Sequence, residues 1–164
     1  MSESFLFEWD LTKLSESMHL SEDEVLTYFQ DGRRISFMLE RRIRDQLGWT
    51  LAPSEGSGYD LVDEVGRKWE VRSVSNSIYF CPSYMVGSGR SFNHGGFIAK
   101  LDAIAGYVCS DIKKFPVVPV WVIPVECIRS LYHDGLLGTT TSISSANFYG
   151  RVVPLLPPPE IVES

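Results

Sequence analysis

The chain has 164 residues, 44% of them hydrophobic and 22% charged, with a net charge of −6, values of a single globular domain able to bury a core of its own. No apolar run approaches the ~18–20 residues that cross a bilayer, the N-terminus has no basic-then-apolar leader pattern, and Cys81, Cys109 and Cys127 stand too far apart for a zinc cage or a disulfide framework. A cytoplasmic protein is expected. The acidity is uneven: residues 1–31 carry eight acids against one base, Lys13, net −7, while residues 32–164 carry 14 bases against 13 acids, net +1. The expected organisation is one domain over 1–164, with an acidic arm at 1–31, a core at 32–150 and a proline-rich tail at 151–164.

In chain order, Ser21 and Glu24 form a capping box, Val25, Leu26, Tyr28 and Phe29 supply an apolar face, and Gly32 is expected to end that helix. A second helix is expected over Arg33–Leu47, where Ile35, Leu39, Ile43 and Leu47 recur at helical spacing and Gly48 stops it. Five arginines lie on it: Arg33, Arg34, Arg41, Arg42 and Arg44. Loop follows from Pro53 to Gly58, then a short strand over Tyr59–Asp63, a turn at Gly66 and a strand over Lys68–Ser75. On that strand Trp69, Val71 and Ser73 face one way, and Lys68, Glu70, Arg72 and Val74 the other. Pro82–Gly96 reads as loop, Phe97–Cys109 as helix, Val117–Ile123 as a buried central strand and Val125–Tyr132 as a short helix. The tail, with Pro154, Pro157, Pro158 and Pro159, is expected to be extended and poorly paired. The order points to a mixed α/β layer fold around a small central sheet.

The chemistry concentrates in Asp60 and in the Glu70-Val71-Arg72 stretch. Glu70 and Arg72 share a strand face, and a hairpin brings Asp60 beside them. Two carboxylates and the carbonyl between Glu70 and Arg72 are oxygen donors suited to a hard cation such as Mg²⁺. Such an ion can polarise a phosphoryl oxygen and acidify a bound water, and a neighbouring cation can stabilise charge building on phosphorus.

At these residues the chain resembles the PD-(D/E)XK nuclease superfamily, and most of all its small type II restriction endonucleases. The similarity runs from about Arg33 to Pro124. It rests on the Glu55–Asp60 loop, the Asp60-x9-Glu70-x-Arg72 spacing, Ser73-Val-Ser75, the Asn93-His94 loop and the apolar strand at Val117. The resemblance implies a restriction-endonuclease-like α/β core, a mixed central sheet flanked by helices, and Mg²⁺-dependent hydrolysis of double-stranded DNA by a homodimer, with Mn²⁺ as a substitute metal. Carried over by position, Asp60, Glu70 and the Val71 carbonyl hold metal, and Arg72 stands at the lysine position. Glu40 matches the helix carboxylate that many members add, with Glu55 a weaker candidate. Tyr59 stands where the motif has proline. The arginine matters more, because it stays protonated and cannot serve as a base; Lys68, on the same strand face, is a possible substitute.

Lys68, Ser73 and the 82–96 loop are the candidate DNA contacts. In the loop, Arg90 can fork onto guanine, Asn93 onto adenine, and His94 can meet a base edge. The alternative for the loop is a polar surface segment. For Glu40 it is a charged helix face with Arg44 placed for an ion pair, and for Glu70 and Arg72 a surface pair worth at most ~1 kcal/mol. Tyr79, Phe80 and Tyr84 read as packing residues. Two rival functions stay open: a degenerate nuclease-fold subunit that binds DNA or assembles, and an unrelated interaction module using its acidic arm.

Overall fold

Ile35, Leu39 and Ile43 recur every fourth residue and are all fully buried on one side of α3 (Gly32–Leu47). Asp31 caps this helix by accepting from the Arg33 N–H, and Gly48 closes it in the left-handed conformation. Gly32 thus opens α3 instead of ending the helix before it. That helix, α2 (Glu22–Phe29), starts at the expected capping box of Ser21 and Glu24 and stops at Gln30. A further helix, α1 (Leu11–Met18), precedes it, capped by Asp10. The computed structural model describes residues 3–87 and 89–162; the ends of the expected arm and tail, and Ser88 of the expected reading loop, lie outside them.

Among the described residues a seven-stranded mixed sheet runs in the order β2 (Thr50–Leu51), β3 (Leu61–Val62), β4 (Lys68–Val74), β6 (Gly106–Asp111), β7 (Val117–Pro124), β1 (Ser4–Glu8), β9 (Glu160–Val162). A separate ribbon pairs β5 (Ser77–Tyr79) with β8 (Ser142–Ser144). β2, β3 and β4 form an antiparallel meander; β4 and β6 are parallel, joined by a crossover through α4 (His94–Ala103). α5 (Val125–His133) follows β7 directly. The architecture is α/β, a mixed sheet flanked by helices. No helix among the described residues is long and apolar enough to cross a membrane.

Strand alternation divides the core in two. Val108, Val118, Val120 and Val122 join α2 and α3 on one face; Tyr107, Cys109, Trp121 and Ile123 join α4 and α5 on the other. On β4, Trp69 and Val71 belong to the α3 side, so Glu70 and Arg72 project on the α4 side.

Three further expectations need correction. The segment 97–109 is not one helix: α4 ends at Ala103 and Gly106–Asp111 is a fully buried strand. Leu101, Ile104 and Val108 share helical spacing by coincidence. A Cβ at Gly106 would lie 2.1 Å from the Ile123 carbonyl oxygen, so glycine there serves close strand packing. The acidic arm is not appended, because β1 sits inside the sheet with Phe5 and Phe7 buried between β7 and β9. The tail does pair: β9 adds a parallel strand to β1.

Candidate functional site

Asp60 directly precedes β3. Its N–H donates to the Trp69 carbonyl and its own carbonyl accepts from Ala52, so its backbone is fixed at the end of the meander. That registry turns its side chain onto β4, where Oδ2 accepts from the Val71 N–H at 2.7 Å. Asp60 is half-buried, and its carboxyl titrates above the ordinary range. Burial is the main cause and Glu70 adds to it, against the Val71 N–H, Arg72 and Lys100. With Asp60 on the N–H of Val71, the residue after Glu70, the two carboxyls are neighbours.

Glu70 is buried, with 6% of its surface exposed. Arg72 Nη1 lies 2.8 Å from Oε1, and Lys100 Nζ forms an ion pair with Oε2 that lacks hydrogen-bond alignment. Arg72 is held further: Nε donates to the Tyr79 carbonyl at 3.0 Å, Nη2 to Cys81 at 3.2 Å and Nη1 to Val71 at 3.3 Å. Lys100 also donates to the Gly58 carbonyl, two residues before Asp60. Two acids and two cations thus meet with no net formal charge. Glu70 and Lys100 line a cleft of about 350 Å³ together with Tyr59, Tyr84 and Gly96.

Asp60, Glu70, Val71 and Arg72 are brought together as the spacing implied. Glu40 sits half-buried on α3, whose buried face joins the layer opposite Glu70. Ser73 alternates away from Glu70 and lies beside Gly32 at the start of α3, so strand geometry separates it from the cleft. Lys68 is exposed and stands 4.8 Å from the Tyr59 ring centre instead of pairing with Glu70. Glu55 is in a 3₁₀ turn, Glu55–Ser57.

In the 82–96 segment Arg90 Nη1 donates to the Ser83 carbonyl at 2.9 Å, and His94 Nδ1 lies 2.9 Å from the Tyr132 hydroxyl. Asn93 is the N-cap of α4, its side-chain oxygen accepting from Gly96 N–H at 2.9 Å. These three carry internal contacts as well as exposure. Arg44 pairs with Asp45, and Arg42 is drawn onto β1, donating to the Glu8 carbonyl. Phe80 is core, as expected, but Tyr84 is 64% exposed at the cleft.

The residue missed from sequence is Lys100. It is the one base between Ser91 and Ile112, one turn after Gly96, and its signal was obscured by the extension of α4 through what is β6.

A divalent cation is the group the resemblance implies. The donors fit its chemistry, being two carboxylates and the Val71 carbonyl, all hard oxygens. A cation there would draw Glu70 from Lys100 or Arg72. Among the described residues no group of three or more His, Cys, Asp or Glu side chains is gathered that could hold a metal. No protein-family model matches the sequence, and no curated protein matches it either.

Proposed function

We propose that the chain hydrolyses phosphodiester bonds in double-stranded DNA, as a type II restriction endonuclease does, acting as a cytoplasmic homodimer on two-fold sites. The observation that carries this reading is the meeting of Asp60, held on the Val71 N–H, with Glu70 and its two cations, where Glu70 and Lys100 line a cleft. Burial and the neighbouring Glu70 raise the Asp60 pKa against the pull of the two cations, and carboxyls perturbed in this way cluster at functional sites. The order of elements around them, a helix, a three-stranded meander, a helix and a parallel strand, gives each acid a rigid backbone support.

In the reaction a water oxygen bonds to phosphorus and the bond from phosphorus to one sugar oxygen breaks. The water loses a proton to solvent and the departing oxygen gains one. Asp60 and Glu70, with the Val71 carbonyl, would hold Mg²⁺ or Mn²⁺, which when bound polarises a phosphoryl oxygen and acidifies a water. Arg72 keeps Glu70 oriented, and the Asp60 carboxylate is fixed by the Val71 N–H. The test is incubation of mixed-sequence plasmid with Mg²⁺ and with EDTA. Discrete fragments that need metal and vanish in Asp60→Ala support the reading; intact plasmid under Mg²⁺ and Mn²⁺ at high protein excludes it.

A second reading has one observation in its favour. Both oxygens of Glu70 already face cations, so the carboxylate is less free to take a metal, which favours a site that binds DNA without cutting it. Duplex binding with no cutting by wild type or by Arg72→Lys would select it.

A further inference from the structure

We infer that Lys100, carried on α4, is the cation this site presents to a substrate phosphate, and that Arg72 is a structural clamp; the inference rests on the nuclease reading above. A guanidinium has five N–H donors. Arg72 spends four on Glu70 and the carbonyls of Val71, Tyr79 and Cys81. These contacts tie β4 to Tyr79 at the end of β5 and to Cys81 beyond it, and they hold the guanidinium away from the cleft, whose lining includes Lys100 but not Arg72. Lys68, the other basic residue on the Glu70 face of β4, is turned onto Tyr59. Lys100 differs from both. Its side chain is only 11% exposed, yet it lines the cleft with Glu70. An ammonium has three N–H donors; Gly58 takes one and Glu70 holds the charge without an aligned hydrogen bond, so a donor is left for a phosphate oxygen. Holding Gly58 and Glu70 together also sets Lys100 beside the loop that delivers Asp60. A lysine there needs no deprotonation: it binds a non-bridging oxygen and offsets the charge that grows on phosphorus as the water adds.

The full chain is assayed as wild type, Lys100→Met and Lys100→Arg for two quantities: plasmid cleavage with Mg²⁺, and the salt dependence of binding to a short mixed-sequence duplex in EDTA. Thermal melting checks folding. Lys100→Met is expected to cut on the order of 10²–10³-fold more slowly. Its binding slope against log salt is expected to fall by about one, the mark of one lost phosphate contact. Lys100→Arg keeps the slope and recovers part of the rate. Undiminished cutting by Lys100→Met overturns the inference and leaves the nuclease reading standing. An unchanged slope overturns it whatever the rate, and with both variants slow it marks Lys100 as a strut between α4 and the Gly58 loop. Absence of cutting by wild type removes the nuclease reading instead. The slope then decides alone whether Lys100 meets phosphate.

Discussion

Two aspartates three residues apart, Asp60 and Asp63, flank the same two-residue strand and meet opposite fates. Asp63 is 6% exposed. Burial alone would raise its pKa, but its oxygens accept from Trp69 Nε1, the Arg67 N–H and Nε, and the Val65 N–H, and these donors hold it below the ordinary range. Asp60 has the Val71 N–H and an acidic neighbour, and sits above that range. A carboxylate surrounded by donors stabilises the hairpin; one buried beside another acid with a single N–H donor weakens it.

The comparison can be broken from either side. Alanine at Asp60, or glutamine at Glu70, is expected to reduce Mg²⁺-dependent cutting by on the order of 10²–10³-fold, read as plasmid cleavage, with the fold intact by circular dichroism. Asp63→Ala should do the reverse. It leaves the Trp69 and Arg67 donors without their acceptor and costs about 2–4 kcal/mol by urea denaturation, and any loss of cutting should track the fraction unfolded. Arg72→Lys is expected to cost about 1–3 kcal/mol, because one ammonium cannot span the Tyr79 and Cys81 carbonyls and Glu70 together; an unchanged denaturation midpoint would deny the clamp. Asp60→Asn keeps an acceptor for the Val71 N–H and removes the buried charge. It should stabilise the protein at neutral pH by on the order of 1 kcal/mol while abolishing cutting.

The smallest effect is in pH dependence. Asp63, depressed in the folded state, contributes stability that is fully present above its unfolded pKa of about 4 and is lost as pH falls through the lower folded value. Asp60, raised, has the opposite sign: the folded state holds its proton to higher pH, so stability declines as pH rises from the unfolded pKa through the folded one. Asp63→Asn should flatten the acid limb of a stability profile, and Asp60→Asn the limb just above it. Matching slopes in the two variants would erase the distinction.

The hairpin carrying both aspartates was legible because strand alternation and the Asp60-x9-Glu70-x-Arg72 spacing are local properties. The same holds for α2 and α3, where capping residues and four-residue spacing agree with burial. The rest depended on partners distant in sequence. Ser4–Glu8 reads as a strand only once β7 and β9 flank it, and its acidic surroundings drew attention from the buried Phe5 and Phe7. Gly106–Asp111 was absorbed into a helix because a strand buried on both faces has no alternation to distinguish it from a helix. That error concealed Lys100, since a helix continued to Cys109 leaves no parallel strand beside β4 to turn the chain back over Glu70. Lys68 and Ser73 stand apart from Glu70 for local reasons: one is drawn to Tyr59, the other fixed by alternation to the α3 side.

On the nuclease reading, the Asp60–Glu70 pair is kept at a cost to stability for the sake of cutting DNA. The most direct measurement is the single-turnover cleavage rate of plasmid by Asp60→Asn in Mg²⁺, set against its melting temperature in EDTA, where no bound metal adds to the stability of wild type. A protein that melts higher than wild type and does not cut is expected; a variant that cuts as well as wild type contradicts this reading.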